Sequence, residues 1–261
     1  MRRKNSASRA IRRIFRALEA AMGPQHWWPA GSAFEVVVGA YLTQNTAWRN
    51  VELAMENLRG AGVLSVGGIR GVALEELETL VRPAGYYRQK AARLKNFVAQ
   101  LDARHEGSLE AMFAEPVEEL RQELLGLNGV GPETADSILL YAASREVFVV
   151  DAYTRRIFER HRLAHAGTGY EEIRAAVETA LVDCDAEADA EPTPPAAQTG
   201  EKPVTHAPSA ASTMARSELA QRYNEFHALL VQTAKHYCLK AGPLCHRCPL
   251  RPLLPPGALP R

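Results

Sequence analysis

No stretch of this chain approaches twenty uninterrupted apolar residues, so no membrane-spanning helix is expected. Only four of the 261 residues are cysteine, which excludes a disulfide-stapled scaffold and makes an intracellular, cytoplasmic protein the expectation. Positive charge is scarce in sum: the formal net charge is +1. The opening MRRKNSASRAIRRIFRALEAAMG is basic but has no apolar run and no clear cleavage site for a secretion signal. Ile11, Ile14, Phe15 and Leu18 there follow helical spacing, so the segment reads as a helix with a basic flank. Large apolar residues are nearly absent from 183 to 212, which cannot bury enough surface to order itself; a linker over 183–217 is expected. The remainder, with 46% hydrophobic residues overall, suffices for the core of one large or two small domains.

The near-neutral sum hides an uneven distribution. Residues 183–203 carry six acids and one base, and setting them aside leaves 30 basic against 24 acidic residues. Arg2, Arg3, Lys4, Arg9, Arg12, Arg13 and Arg16 form an all-positive opening that either contacts phosphates or is a solvated face.

The most informative stretch runs from Leu124 to Arg156. Leu127-Asn128-Gly129-Val130-Gly131 puts two glycines around one apolar residue, and Pro132 opens a run with Ala135, Ile138 and Leu139 at helical spacing. The pattern predicts a helix, a tight turn and a second helix. Gly129 and Gly131 permit positive φ and close backbone approach, so the N–H groups of 129–131, with Thr134, could grip a phosphate without reading sequence. Downstream, Val147-Phe148-Val149-Val150 ends at Asp151 and leads into a basic helix with Arg155, Arg156 and Arg160. An acid at the edge of an apolar wall suits chemistry; it equally suits an N-cap.

Together these residues resemble the helix-hairpin-helix plus Gly/Pro-Asp signature of the endonuclease III superfamily of DNA glycosylases. That resemblance implies a catalytic role for Asp151 and a duplex DNA partner carrying a damaged base. It also implies an all-α fold acting as a monomer. A helical barrel-like domain over 31–140 would hold the hairpin. The N-terminal helix (1–30), residues 141–182 and the C-terminal helix with its cysteine loop (218–261) would flank it, with a DNA cleft between the two domains.

Trp27 and Trp28 are adjacent, and a buried helix over Phe34–Leu42 ends in Thr43-Gln44-Asn45-Thr46-Ala47-Trp48. The tryptophans pack a core or stack on an extruded base; enzymes acting on a base must take it out of the duplex. LTQNTAWRNVE is similar to the monofunctional 3-methyladenine branch of the superfamily. The superfamily implies that Gln44 fills the gap left by the flipped nucleotide, and the branch that Trp27, Trp28 and Trp48 line the base pocket. An electron-rich indole favours a cationic alkylated purine. Bifunctional members carry lysine at the position of Glu133, where its amine attacks the sugar; a carboxylate cannot form that Schiff base. Glu133 agrees with the alkyl-purine branch and lies where it would complement a helix N-terminus. A lysine of that branch falls on Leu229 here, so the pocket departs at that point. In and just after the Arg82–Ala91 connection, Arg88, Lys90 and Arg93 are placed to touch phosphate.

Cys238, Cys245 and Cys248 are spaced C-x6-C-x2-C, and Cys184 stands alone in the linker. Three cysteines this close argue for metal. The resemblance is to a C-x6-C-x2-C-x5-C loop holding a 4Fe-4S cluster with four thiolates, and the fourth position here is Leu254. Cys184 could complete the set, His246 could substitute, or the cluster could have been lost. Lys240, His246, Arg247 and Arg251 keep the loop basic.

The expected activity is hydrolysis of the N-glycosidic bond of an alkylated purine such as 3-methyladenine, without lyase chemistry. The rivals are a glycosylase for oxidised pyrimidine or mismatched adenine, and a non-catalytic hairpin module that only grips DNA.

Overall fold

The computed structural model describes residues 2–182 and 207–257, the first few without their side chains. Cys184 and most of the expected linker therefore lie outside the described residues. Among the described residues the regular structure is helical throughout, and no helix is long and apolar enough to cross a membrane.

The chain divides into two compact units. Among the described residues, one comprises 28–145 with 209–214; the other comprises 2–27, 146–182, 207–208 and 215–257. The first is built around α2 (Ala33–Leu42), of which all but Ala33 and Glu35 are buried. A helix this apolar on every side must be enclosed. It packs against α3 (Trp48–Gly60), α6 (Tyr87–His105) and the segment of α9 described below. Ser32 caps its start by accepting from the Glu35 N–H. Its C-terminal end is closed by Lys90 of α6, which is 1% exposed and donates to the carbonyls of Leu42, Gln44 and Ala84 at 2.8–2.9 Å. Lys90 thus serves the scaffold, not phosphate. A buried ammonium persists where all three donors are satisfied.

Two short helices, α4 (Val66–Gly71) and α5 (Leu74–Leu80), pack on α6. α4 has no periodicity to announce it, yet Gly68 is required there, because a Cβ would lie 2.5 Å from the Val63 backbone. After α7 (Leu109–Ala114) come α8 (Val117–Leu125) and α9 (Pro132–Ser137), the latter widening into a π-helical turn over Ile138–Ala142.

The second unit joins α1 (Arg2–Met22), α10 (Ala152–Arg160), α11 (Tyr170–Val182) and α12 (Glu218–His236). Phe226 of α12 meets Phe15 of α1 and Phe148, with ring centroids 5.4 and 5.7 Å apart. Arg12 spends its guanidinium on the Ala180 carbonyl of α11, so the basic opening is partly committed to holding helices together.

One expectation changes. The linker foreseen to run to 217 ends earlier: Ser209 donates to the Trp28 carbonyl and Ala211 N–H to the Ala30 carbonyl at 3.0 Å each, and Ala211 is buried. Small residues order here through backbone hydrogen bonds, without the large apolar side chains whose absence suggested disorder.

Candidate functional site

The hairpin joins α8 to α9. Gly129 has φ +78, a backbone conformation that favours glycine, and a Cβ on it would fall 2.1 Å from Nε of Arg93, whose side chain would have to move. Gly131 does not share that role: its φ of −99 is extended backbone open to any residue, and nothing lies within 4 Å of where its Cβ would be. Its value as glycine is therefore the open approach. The two helices are tied by Arg121 and Asp136, both buried, with Nε to Oδ1 at 2.7 Å and Nη2 to Oδ2 at 3.2 Å. Val130 is buried, Thr134 is buried in the first turn of α9, and Glu133 is exposed there.

Gln44 is half-buried and held by three hydrogen bonds. Its Nε2 donates to the Gly129 carbonyl and to Oγ1 of Thr134 at 3.0 Å each, and its Oε1 accepts from Arg93 at 2.9 Å. The polar stretch after α2 is thereby fastened to the hairpin. Arg93, foreseen as a phosphate contact, turns inward to hold this amide.

The expected aromatic trio divides. Trp28 and Trp48 meet edge to face at 5.2 Å, and Tyr141, from the π-helical turn, lies 5.2 Å from Trp28. Trp28 is buried and Trp48 half-exposed, its indole N–H donating to Glu52. Trp27 belongs to the other unit, buried, with the Lys235 ammonium 5.7 Å over its ring. Tyr141 was not foreseen, because it sits in an apolar helical run with no chemical signal of its own; a π-helical turn is a common functional marker visible only in the structure.

Asp151 caps α10, its Oδ1 accepting from the Thr154 N–H at 2.7 Å. The capping reading thus holds. Its Oδ2 lies 3.5 Å from Nε2 of His227 on α12. Both side chains are close to buried, 11% and 7% exposed. Burial alone would push the carboxyl up. The charge of His227, then hydrogen bonds from His227 and Thr154, outweigh it and hold the carboxyl below the ordinary carboxylate range. His227 packs edge to face on Phe148. Nothing in the local pattern of α12 marks it, because a single histidine on an apolar helical face is usually core.

Cys238, Cys245 and Cys248 line one cavity with Arg160, His161 and Leu254. Nη1 of Arg160 donates to Sγ of Cys238 at 2.9 Å, and Nε of Arg156 donates to the Cys238 carbonyl at 2.7 Å. Three cysteines lining one cavity supply soft donors for iron–sulfur chemistry. The residues present fit such a group. His246 is exposed and does not line the cavity.

Helical throughout its described residues, the chain carries a glycine hairpin, a depressed carboxylate after an apolar wall and an aromatic cluster, and its family match makes it a DNA-repair glycosylase. The family model described as HhH-GPD superfamily base excision DNA repair protein matches residues 38–181, and the chain belongs to that family. It is 40% identical over 250 residues to a protein of Methanocaldococcus jannaschii assigned as a DNA repair glycosylase, covering 95% of this chain and 97% of that one. It is also similar to the crystal structure of H. pylori 3-methyladenine DNA glycosylase bound to 1,N6-ethenoadenine. There the TM-score is 0.66 and the identity 29%, with 87% and 97% of the two chains covered. A trapped endonuclease III–DNA covalent intermediate shares the fold, at TM-score 0.67 and 18% identity over 96% and 95% of the two chains.

Proposed function

We propose that this glycosylase hydrolyses the N-glycosidic bond of an alkylated purine, such as 3-methyladenine, in duplex DNA and leaves the strand uncut. The observation that carries the reading is the ionised Asp151, its carboxyl held below the ordinary range; the sequence supports it separately, with a carboxylate, Glu133, where a lyase would need an amine. As the bond to the base breaks, positive charge develops on the sugar, and Asp151 stabilises it and orients a water for attack. The depressed carboxyl stays charged at neutral pH while held by His227 and the Thr154 N–H. An alkylated purine leaves readily, so no strong general acid is called for. The electron-rich faces of Trp28, Trp48 and Tyr141 favour a cationic base over a normal one. The 29% identical 3-methyladenine glycosylase supports the same choice. Gly129, Val130, Gly131 and Thr134 approach the DNA backbone. Gln44 enters the space of the extruded nucleotide once released from its three hydrogen bonds.

Cys238, Cys245 and Cys248 hold a 4Fe-4S cluster in this reading. When bound, the cluster supplies ligand bonds that order the C-terminal loop.

Base release from methylated duplex DNA tests the activity, with products run before and after hot alkali. Free 3-methyladenine with strands cut only after alkali is expected. Strands cut without alkali would remove the monofunctional reading. No release from methylated DNA would remove the substrate, and oxidised and mismatched duplexes would then separate another specificity from a silent binding module.

A further inference from the structure

The cysteine loop is one thiolate short, and Leu254, at the expected fourth place, lines the cavity without a donor atom. We propose that His161 is the fourth ligand of the 4Fe-4S cluster, binding through Nδ1. The proposal rests on the cofactor reading above and is independent of which base is removed.

His161 closes α10, its backbone N–H bonding to the Ile157 carbonyl. That end of the helix brings the imidazole to the wall formed by the three cysteines. The residue is 9% exposed, and Nδ1 is buried with no hydrogen-bond partner. A buried imidazole nitrogen left bare is unfavourable unless something fills the place of the missing partner. The ring also hydrogen-bonds the Leu253 backbone. With Nδ1 unpartnered that bond falls on Nε2, which leaves the Nδ1 lone pair free on a residue that lines the cysteine cavity. Metal-binding histidines are oriented this way, the far nitrogen donating to a backbone carbonyl and fixing the tautomer.

The competing donors are weaker. His246 is exposed and outside the cavity, and Cys184 lies outside the described residues. Three cysteines and a histidine could also serve one zinc ion. Among the described residues, however, no three of His, Cys, Asp and Glu converge closely enough to hold a single ion. A cluster presents a separate iron to each ligand and so accepts donors that stand farther apart than the ligands of one ion. The Arg160 contact to Cys238 Sγ adds the hydrogen bond to sulfur by which proteins tune such clusters.

The full chain is purified without oxygen and reconstituted with iron and sulfide. Bound iron and sulfide are measured, and the reduced cluster is examined by pulsed electron paramagnetic resonance for nitrogen coupling. The expected result is iron and sulfide in equal amounts, with the coupling of a directly bonded imidazole nitrogen. His161→Cys is expected to keep the iron, lose that coupling and lower the reduction potential, since a thiolate replaces a neutral ligand. Cys184→Ala and His246→Ala are expected to change neither iron content nor coupling. A cluster without nitrogen coupling in the unmodified protein, or coupling that survives His161→Cys, overturns the assignment of His161 and leaves the cluster standing. Absence of bound iron after reconstitution overturns the cofactor reading and this proposal with it.

Discussion

At Asp151 one side chain does two jobs. Oδ1 accepts the Thr154 N–H at the start of α10, while Oδ2 faces His227 at 3.5 Å. A carboxyl depressed in the folded state contributes stability above the ordinary carboxylate range, lost as pH falls through the folded value. The acid limb of base release should therefore lie below that range, and Asp151→Asn should abolish release while leaving folding and DNA binding intact. Loss of binding in that variant would make Asp151 a structural cap. His227→Leu should shift the acid limb upward, because it removes the charge that offsets burial; a rate lowered equally at every pH would reduce His227 to packing.

Between elements, the hairpin is fixed by two kinds of tie. Arg121 and Asp136 form a buried bidentate pair between α8 and α9. Asp136→Leu alone should cost about 3–5 kcal/mol, since it strands a buried guanidinium. Adding Arg121→Met should recover much of that loss in chemical denaturation; no recovery would mean that the pair is not coupled. Gln44 links the end of α2 to the turn through Gly129 and Thr134. Gln44→Ala should weaken binding to abasic duplex and destabilise the fold by roughly 1 kcal/mol, the net worth of a typical hydrogen bond. Unchanged affinity with lowered stability would make the tie purely structural.

For the whole molecule, binding that rests on phosphate contacts should fall with salt, the logarithm of affinity declining linearly with the logarithm of salt concentration. A flat dependence would remove the backbone clamp despite the glycine hairpin. The sequence by itself determined the parts whose chemistry is local: Gly129 at a turn, Pro132 opening a helix, Asp151 ahead of one, Glu133 where an amine would sit, three cysteines within a short loop, and the all-apolar α2. Turn conformation, caps and helical periodicity are properties of neighbours in the chain, so composition and spacing reveal them. Tertiary structure alone decided which of these meet. It set His227 against Asp151, Tyr141 against Trp28 and His161 beside the cysteines. It turned Arg93 inward, buried Lys90 under three carbonyls and ordered 209–214 on Trp28 and Ala30. Such pairings join residues far apart in the chain, and close packing of one helix on another fixes them, not any local pattern.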